Sequence, residues 1–137
     1  YDYVIIDCAP SLNLLTINAL VATDSVIIPM QCEYYALEGL ADLSQTIERL
    51  TELNPKLYIR GVVRTLFDAR NTLARDVSAE LEAHFGDIMY KTHIPRNIRL
   101  AEAPAHGLPV IAYERWLKGA RAYQKLAAEG IKQSASL

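Results

Sequence analysis

No G-x-x-x-x-G-K-[ST] phosphate loop occurs in these 137 residues, and no G-x-G-x-x-G. Whatever the chain does with nucleotides, it carries no glycine-rich cradle for their phosphates. It has two cysteines, Cys8 and Cys32, and neither belongs to a C-x-x-C pair. That excludes a disulfide scaffold and a zinc site and fits a reducing cytosol. Both thiols follow apolar runs and read as buried small hydrophobes. The three histidines, His84, His93 and His106, stand at no metal-ligand spacing. They read as structural or solvated groups. No apolar run approaches the ~20 residues of a membrane span. Neither sign of charge dominates: 14 basic against 16 acidic residues leave −2. Overall charge therefore does not make this a polyanion-coating protein, although a local basic patch stays open. There is no internal repeat, low-complexity linker or domain boundary, so residues 1–137 read as one domain.

Half of the residues are apolar, enough for a sizeable core. Strand and helix signals alternate. Residues 3–6 are an apolar run that ends in Asp7, with Pro10 just after it. A short run without polar alternation reads as a buried parallel strand. In an open α/β sheet ligands sit beyond the carboxyl ends of strands, where Asp7 would lie. A carboxylate there either holds Mg²⁺ through water or serves as a helix cap or turn residue.

Ser11 or Asn13 can cap a helix through residue 22. Residues 26–30 read as a second buried strand, and residues 36–53 as a long helix with Leu37, Leu40, Ile47 and Leu50 on one face. Residues 58–67 read as a third strand. Leu73, Val77, Leu81 and Phe85 mark a helix stopped by Gly86. Residues 88–90 and 110–113 read as short strands, and residues 92–109 as an ordered loop with a helical turn near 97–103. A last helix covers 118–129, ended by Gly130, before a frayed tail. The alternation predicts an α/β fold with a mostly parallel sheet flanked by helices on both faces.

Three segments carry a resemblance. The first is Tyr1-Asp2-Tyr3-Val4-Ile5-Ile6-Asp7-Cys8-Ala9-Pro10-Ser11-Leu12, with Leu15-Thr16-Ile17-Asn18-Ala19-Leu20 after it. The second is Ile28-Pro29-Met30-Gln31-Cys32-Glu33-Tyr34-Tyr35-Ala36-Leu37-Glu38-Gly39-Leu40. The third is Ile94-Pro95-Arg96-Asn97-Ile98-Arg99-Leu100-Ala101-Glu102-Ala103-Pro104, running on to Lys118-Gly119-Ala120. With Thr65-Leu66-Phe67-Asp68-Ala69-Arg70 between the last two, the chain resembles the ParA/Soj family of chromosome- and plasmid-partitioning ATPases. These are deviant P-loop ATPases related to the MinD division-site proteins. The resemblance covers essentially the whole chain, in order. Two positions depart from it. Ala9 stands where the family has a first proline of a Pro-Pro pair, which frees φ and restores a backbone N–H. Ala105 stands where the family has serine.

The resemblance implies a P-loop NTPase-like fold and a chain that is the C-terminal part of a ParA-type ATPase domain. The phosphate loop and main catalytic residues would lie upstream, leaving none in this segment. Asp7 would match the carboxylate near Mg²⁺. Cys8, Ala9, Pro10 and Ser11 would match the second switch, whose loop senses the γ-phosphate. Pro95 and Arg96 would fall in the loop that packs on adenine, with Thr65 and Asp68 near the same pocket. Arg70 and Arg99 would match basic residues used for DNA. Tyr34 and Tyr35 could serve a dimer face.

The implied cofactors of the full-length protein are ATP and Mg²⁺, with none for the 137 residues alone. The implied partners are an ATP-dependent homodimer, non-specific DNA and a ParB-type centromere-binding protein. The implied location is the cytoplasm, on the nucleoid, with no membrane partner. Two other readings compete. One is a MinD-like membrane-cycling ATPase, against which Ala120, Tyr123, Leu126, Ala127 and Ile131 form a stripe better suited to packing on the sheet. The other is a non-catalytic regulatory domain that kept the fold. An iron-sulfur reductase is disfavoured because Cys8 directly follows its aspartate. Arg60 and Arg64, within a strand pattern, are expected to pair with carboxylates.

Overall fold

In the computed structural model, which describes residues 1–9 and 11–134, two strands run side by side. They are β1 (Ser25–Gln31) and β2 (Tyr58–Thr65), parallel from the Ser25–Tyr58 pair to the Gln31–Thr65 pair. An irregularity between Val26 and Ile27 sets them opposite Ile59 and Gly61. The crossover between the strands is α2 (Ala36–Leu50); α1 (Leu14–Ala22) precedes β1 and α3 (Thr72–Phe85) follows β2. Then come α4 (Ile98–Glu102), α5 (Val110–Tyr113) and α6 (Lys118–Ser134), with 3₁₀ turns at Gly86–Ile88 and Ala103–His106.

Three helices start on asparagine. The side chains of Asn13, Asn71 and Asn97 accept hydrogen bonds from the backbone N–H groups of Thr16, Ala74 and Arg99, relieving orphan donors of the first turn. Asn54 works at a helix end. Its amide donates to the carbonyls of Leu20 (3.3 Å) and Thr23 (2.7 Å), closing the exit of α1.

Alternation along β2 sends side chains to two cores. Val62 joins Ile28, Leu40, Ile47, Val77 and Leu81, under α2 and α3. Val63 joins Tyr90, Ile94 and Ala122, with Leu126 packed against them, under α6. The sheet thus has α2 and α3 on one face and, along β2, α6 on the other, and the fold is α/β. Arg64 ties one side together. It donates to Ser78 (3.0 Å) and Glu82 (2.9 Å) of α3 and to the Tyr90 carbonyl (3.0 Å). Gly61 is required by Tyr90: a Cβ there would lie 2.5 Å from the ring.

Several sequence expectations fail locally. Residues 3–6 form no strand and are exposed, Ile5 at 92 %. A strand exists through a neighbour's ladder, and no described strand runs beside this segment. Cys8 is accordingly exposed, and only Cys32 is buried. β1 pairs only with β2, so it is an edge strand among the described residues, and it also has one bare face, where Ile27 and Pro29 are exposed. Proline fits there because its missing N–H leaves no gap in a ladder.

Residues 110–113 are a helical turn, since Tyr113 N–H bonds back to the Pro109 carbonyl (2.9 Å). Residues 88–90 make a single bridge, Met89 to Val62. The buried stripe of α3 is Ala74, Val77, Ser78 and Leu81, with Leu73 exposed. Gly130 does not stop α6, which continues to Ser134. Of the expected α6 stripe, Ala120 is buried and Leu126 half-buried, whereas Tyr123, Ala127 and Ile131 are exposed; Gly119 and Ala122 are buried beside Ala120. Trp116 lies 70 % exposed. Arg64 finds its carboxylate, whereas Arg60 bonds Ser134 and Tyr58 hydroxyls. The end of the expected frayed tail, residues 135–137, lies outside the described residues.

Candidate functional site

Because β1 and β2 are parallel, Gln31 and Thr65 leave the sheet side by side at its carboxyl edge, the usual ligand side of such sheets. Thr65 Oγ1 donates to the Met30 carbonyl across the pair (3.3 Å). The next residue, Leu66, turns the chain with φ of 51°, a left-handed conformation uncommon outside glycine. After that turn Phe67 N–H donates to the Ile94 carbonyl (3.0 Å), and the Phe67 carbonyl accepts from Arg96 N–H (3.1 Å). The result is a parallel bridge between Phe67 and Pro95. The Phe67 ring meets His93 edge-on at 4.9 Å.

These bonds bring Thr65, Asp68, Pro95 and Arg96 to one edge, although they are separated by up to thirty-one positions in sequence. A small cleft of about 100 Å³ opens there, lined by Gln31, Cys32, Glu33, Phe67, Asp68, Asn71 and Arg96 among others. That volume holds several waters and is too small to enclose a drug-sized ligand. Gln31, Glu33 and Asn71 were not among the sequence candidates. The signal for the first two was available: they are the first polar groups after an apolar strand. Asn71 reads from sequence only as loop. Burial pushes the Cys32 thiol up, against the opposing pull of Arg64, so this cysteine lining the cleft is a poor nucleophile. Burial likewise lowers the His93 pKa, helped by Arg64.

Asp7, Cys8 and Ala9 do not reach this cleft. They line a second one with Ile6, Asn13, Leu15, Thr16 and Ala19, and the two clefts share no residue. Asp7 is exposed and has no hydrogen-bond or ion-pair partner among the described residues. Ser11 receives the Asn13 N–H (2.9 Å) and the Thr16 hydroxyl (2.9 Å) on its carbonyl. Pro10 lies outside the described residues. No group of three or more His, Cys, Asp or Glu that could hold a metal exists among the described residues. A single unpaired carboxylate fits Mg²⁺ only where phosphates and water supply the other ligands.

The two arginines singled out for DNA are both engaged. Arg70 grips Asp68 with Nε (3.0 Å) and Nη2 (2.8 Å), and its backbone N–H adds a third bond at 3.0 Å. This fork lowers the Asp68 pKa to about 2. Arg99 holds Glu102 at 2.8 Å and approaches Glu114 at 4.0 Å. Tyr34 and Tyr35 are exposed and meet edge to face at 5.0 Å.

Comparison with known proteins agrees on one family. A family model described as an AAA domain matches residues 1–59. The chromosome partitioning protein ParA of Caulobacter vibrioides is 53% identical over 134 residues, 97% of this chain and 50% of that protein. The sporulation initiation inhibitor protein Soj of Bacillus subtilis is 56% identical over 130 residues, 94% of this chain and 51% of that protein. The chain thus spans about half the length of the curated relatives it matches.

Among solved structures, cobyrinic acid a,c-diamide synthase from Mycobacterium smegmatis, with bound ATP analogue and magnesium, superposes with a TM-score of 0.74 at 36% identity. That match covers 93% of this chain and 47% of that one. The cell division ATPase MinD of Pyrococcus furiosus gives 0.75 at 23% identity, over 96% and 52%. At that identity MinD speaks for the fold alone.

Proposed function

The chain belongs to the ParA/Soj family of chromosome-partitioning ATPases, and from that membership we propose that it is the C-terminal part of a DNA-segregation ATPase. In this reading the full-length protein binds ATP with Mg²⁺ and dimerises on it. The dimer holds DNA without sequence preference and is released when a ParB-type partner stimulates hydrolysis. Cys8, Ala9, Pro10 and Ser11 would form the loop that senses the γ-phosphate, held in the nucleotide-bound state and released after hydrolysis. Its place is the cytoplasm, on the nucleoid.

The observation that carries the reading is the convergence at the carboxyl edge. Asp68 and Arg96 line one cleft, Pro95 is bridged to Phe67 beside it, and Thr65 ends its strand just before the Leu66 turn, as one wall of a nucleotide site requires. Pro95 and Arg96 would present a flat backbone and a guanidinium to the adenine, while Asp7 would hold a water of the Mg²⁺ shell. When bound, MgATP supplies the phosphoanhydride whose cleavage resets the switch. Arg70 and Arg99 would contact DNA phosphates after giving up Asp68 and Glu102, and dimerisation would multiply weak contacts by avidity.

Membrane cycling of the MinD kind fits less well. The small apolar face of α6 is turned onto the Tyr90–Ile94 core and not outward, where an interfacial helix would present it.

Asp7→Ala in the full-length protein tests the metal role. Calorimetry with a non-hydrolysable ATP analogue should show affinity falling about tenfold or more in Mg²⁺ and unchanged in EDTA. Equal affinity in Mg²⁺ would make Asp7 a turn residue only.

A further inference from the structure

Positive charge on α6 is drawn into one row. Lys118, Arg121 and Lys125 follow at i, i+3 and i+7, and Lys132 continues the line. The first three are exposed. At the row's N-terminal end the exposed Trp116 ring has the Arg115 guanidinium 5.0 Å and the Arg121 guanidinium 5.6 Å from its centroid. None of Arg115, Lys118, Arg121 and Lys125 pairs with a carboxylate; the ion pairs among the described residues lie elsewhere. The one acid of α6, Glu129, is turned inward, accepting from Lys91 N–H (2.7 Å) and Thr92 N–H (3.0 Å).

The other long helices have the opposite balance. α2 carries Glu38, Asp42 and Glu48 against Arg49, and α3 carries Asp76, Glu80 and Glu82 against Arg75. Five of the fourteen basic residues and one of the sixteen acidic ones follow Glu114. The end of the chain is therefore positive although the whole is negative. Lys118 also opens α6 with no acid in the first turn, the unfavourable end of the helix dipole for a cation. Self-repulsion and dipole both oppose this arrangement unless an external anion offsets them.

We propose that this row is a docking surface for the phosphodiester backbone of duplex DNA, separate from Arg70 and Arg99 and unpaired where they are paired. The proposal rests on the DNA-binding reading above and adds the face that meets the polymer. From Lys118 to Lys125 is ~10 Å at the helical rise, over which duplex DNA presents on the order of six phosphate charges. Ammonium and guanidinium groups in a row meet phosphates and read no sequence. An anionic bilayer is the poorer partner. At 3.6 residues per turn Tyr123 falls on the opposite side of α6 from the row and Ile131 lies about 100° round from it, so no bulky apolar residue of α6 stands alongside the row to enter a bilayer. Trp116 is a positioning residue, its ring holding two guanidiniums beside the row.

The test uses the full-length protein with ATP, a 40-bp duplex of arbitrary sequence, and phosphatidylserine vesicles in parallel. Wild type is compared with the combined Lys118→Ala, Arg121→Ala, Lys125→Ala variant. Three lost phosphate contacts should flatten the slope of log K against log [salt] by about 2.7 per protomer engaged. Between 50 and 200 mM salt, wild-type affinity should then fall about 40-fold further than the variant's. Lys118→Arg with Lys125→Arg should keep the wild-type slope. If the triple variant melts early, Lys125→Ala alone should still lower the slope by about 0.9. A wild-type slope in the alanine variants overturns the proposal and leaves the partitioning reading standing. Loss of vesicle binding with DNA binding intact overturns it too. A wild-type protein that binds no duplex defeats the partitioning reading and the proposal together.

Discussion

Gly61→Ala probes the packing that joins the two cores. The added Cβ would lie 2.5 and 2.8 Å from two ring carbons of Tyr90 and 3.1 Å from the Ile88 carbonyl oxygen. Carbon atoms rest at roughly 3.5–4.0 Å, so the ring would have to retreat by about 1 Å. It has little room. Tyr90 is fully buried, its backbone N–H is tied to Val62 (2.9 Å), and its carbonyl is held by Arg64. On the far side, a Cβ at Gly130 of α6 would sit only 3.5 Å from its hydroxyl. The substitution should therefore cost about 2–3 kcal/mol, the upper part of the overpacking range. In urea denaturation of the full-length protein the midpoint should fall by roughly 1–2 M. Tyr90→Leu removes the obstructing ring edge. Gly61→Ala with Tyr90→Leu should thus be more stable than the sum of the two single effects by about 1 kcal/mol or more. An unchanged midpoint for Gly61→Ala, or strict additivity in the pair, would refute the argument.

Two further expectations concern Arg64 and His93. Arg64→Met leaves the buried Ser78 hydroxyl and the Tyr90 carbonyl without a donor, whereas Glu82 is 56 % exposed and rehydrates. Chemical denaturation should show about 2–4 kcal/mol lost for Arg64→Met but under about 1 kcal/mol for Glu82→Gln. Burial, aided by Arg64, lowers the His93 pKa from 6.5. The unfolded chain then binds the proton more readily than the folded one. Stability from this group is full above pH 6.5 and is lost as pH falls toward the folded value. Thermal melts between pH 7.5 and 5 should show that decline, and His93→Gln should flatten it.

Helix existence was legible because caps and periodicity are local. Asn13, offered as a cap, accepts the expected backbone bond; Asn71 and Asn97 cap helices whose presence periodicity alone had marked. Helix phase was less legible. Leu73 looked like core and is not, since Ala74 and Ser78 fit beneath β2 where a larger side chain could not be inferred. Two short segments were misread because β-propensity records fit to a pleated neighbour. Residues 110–113 have no strand beside them and close on Pro109 as a helical turn. Gly130 looked like a stop signal and is instead a space for the Tyr90 hydroxyl.

The candidate site divides the same way. Thr65, Asp68, Pro95 and Arg96 could be named from motif resemblance, and their meeting depends on one residue that sequence does not flag. Leu66 takes a left-handed turn that no bulky side chain advertises. Arg70 and Arg99 could be named too, but not that each already holds a carboxylate.

Composition, alternation of patterns and ordered motifs alone determined an α/β chain with a parallel sheet and a family. These are properties of residues in succession. Only the tertiary structure decided that β1 is an edge among the described residues, that Asp7 and Arg96 line different clefts, and that Lys118, Arg121 and Lys125 share one exposed face of α6 without a carboxylate partner. Those depend on which neighbour each strand and side chain finds, and partnership across space is not written in local order.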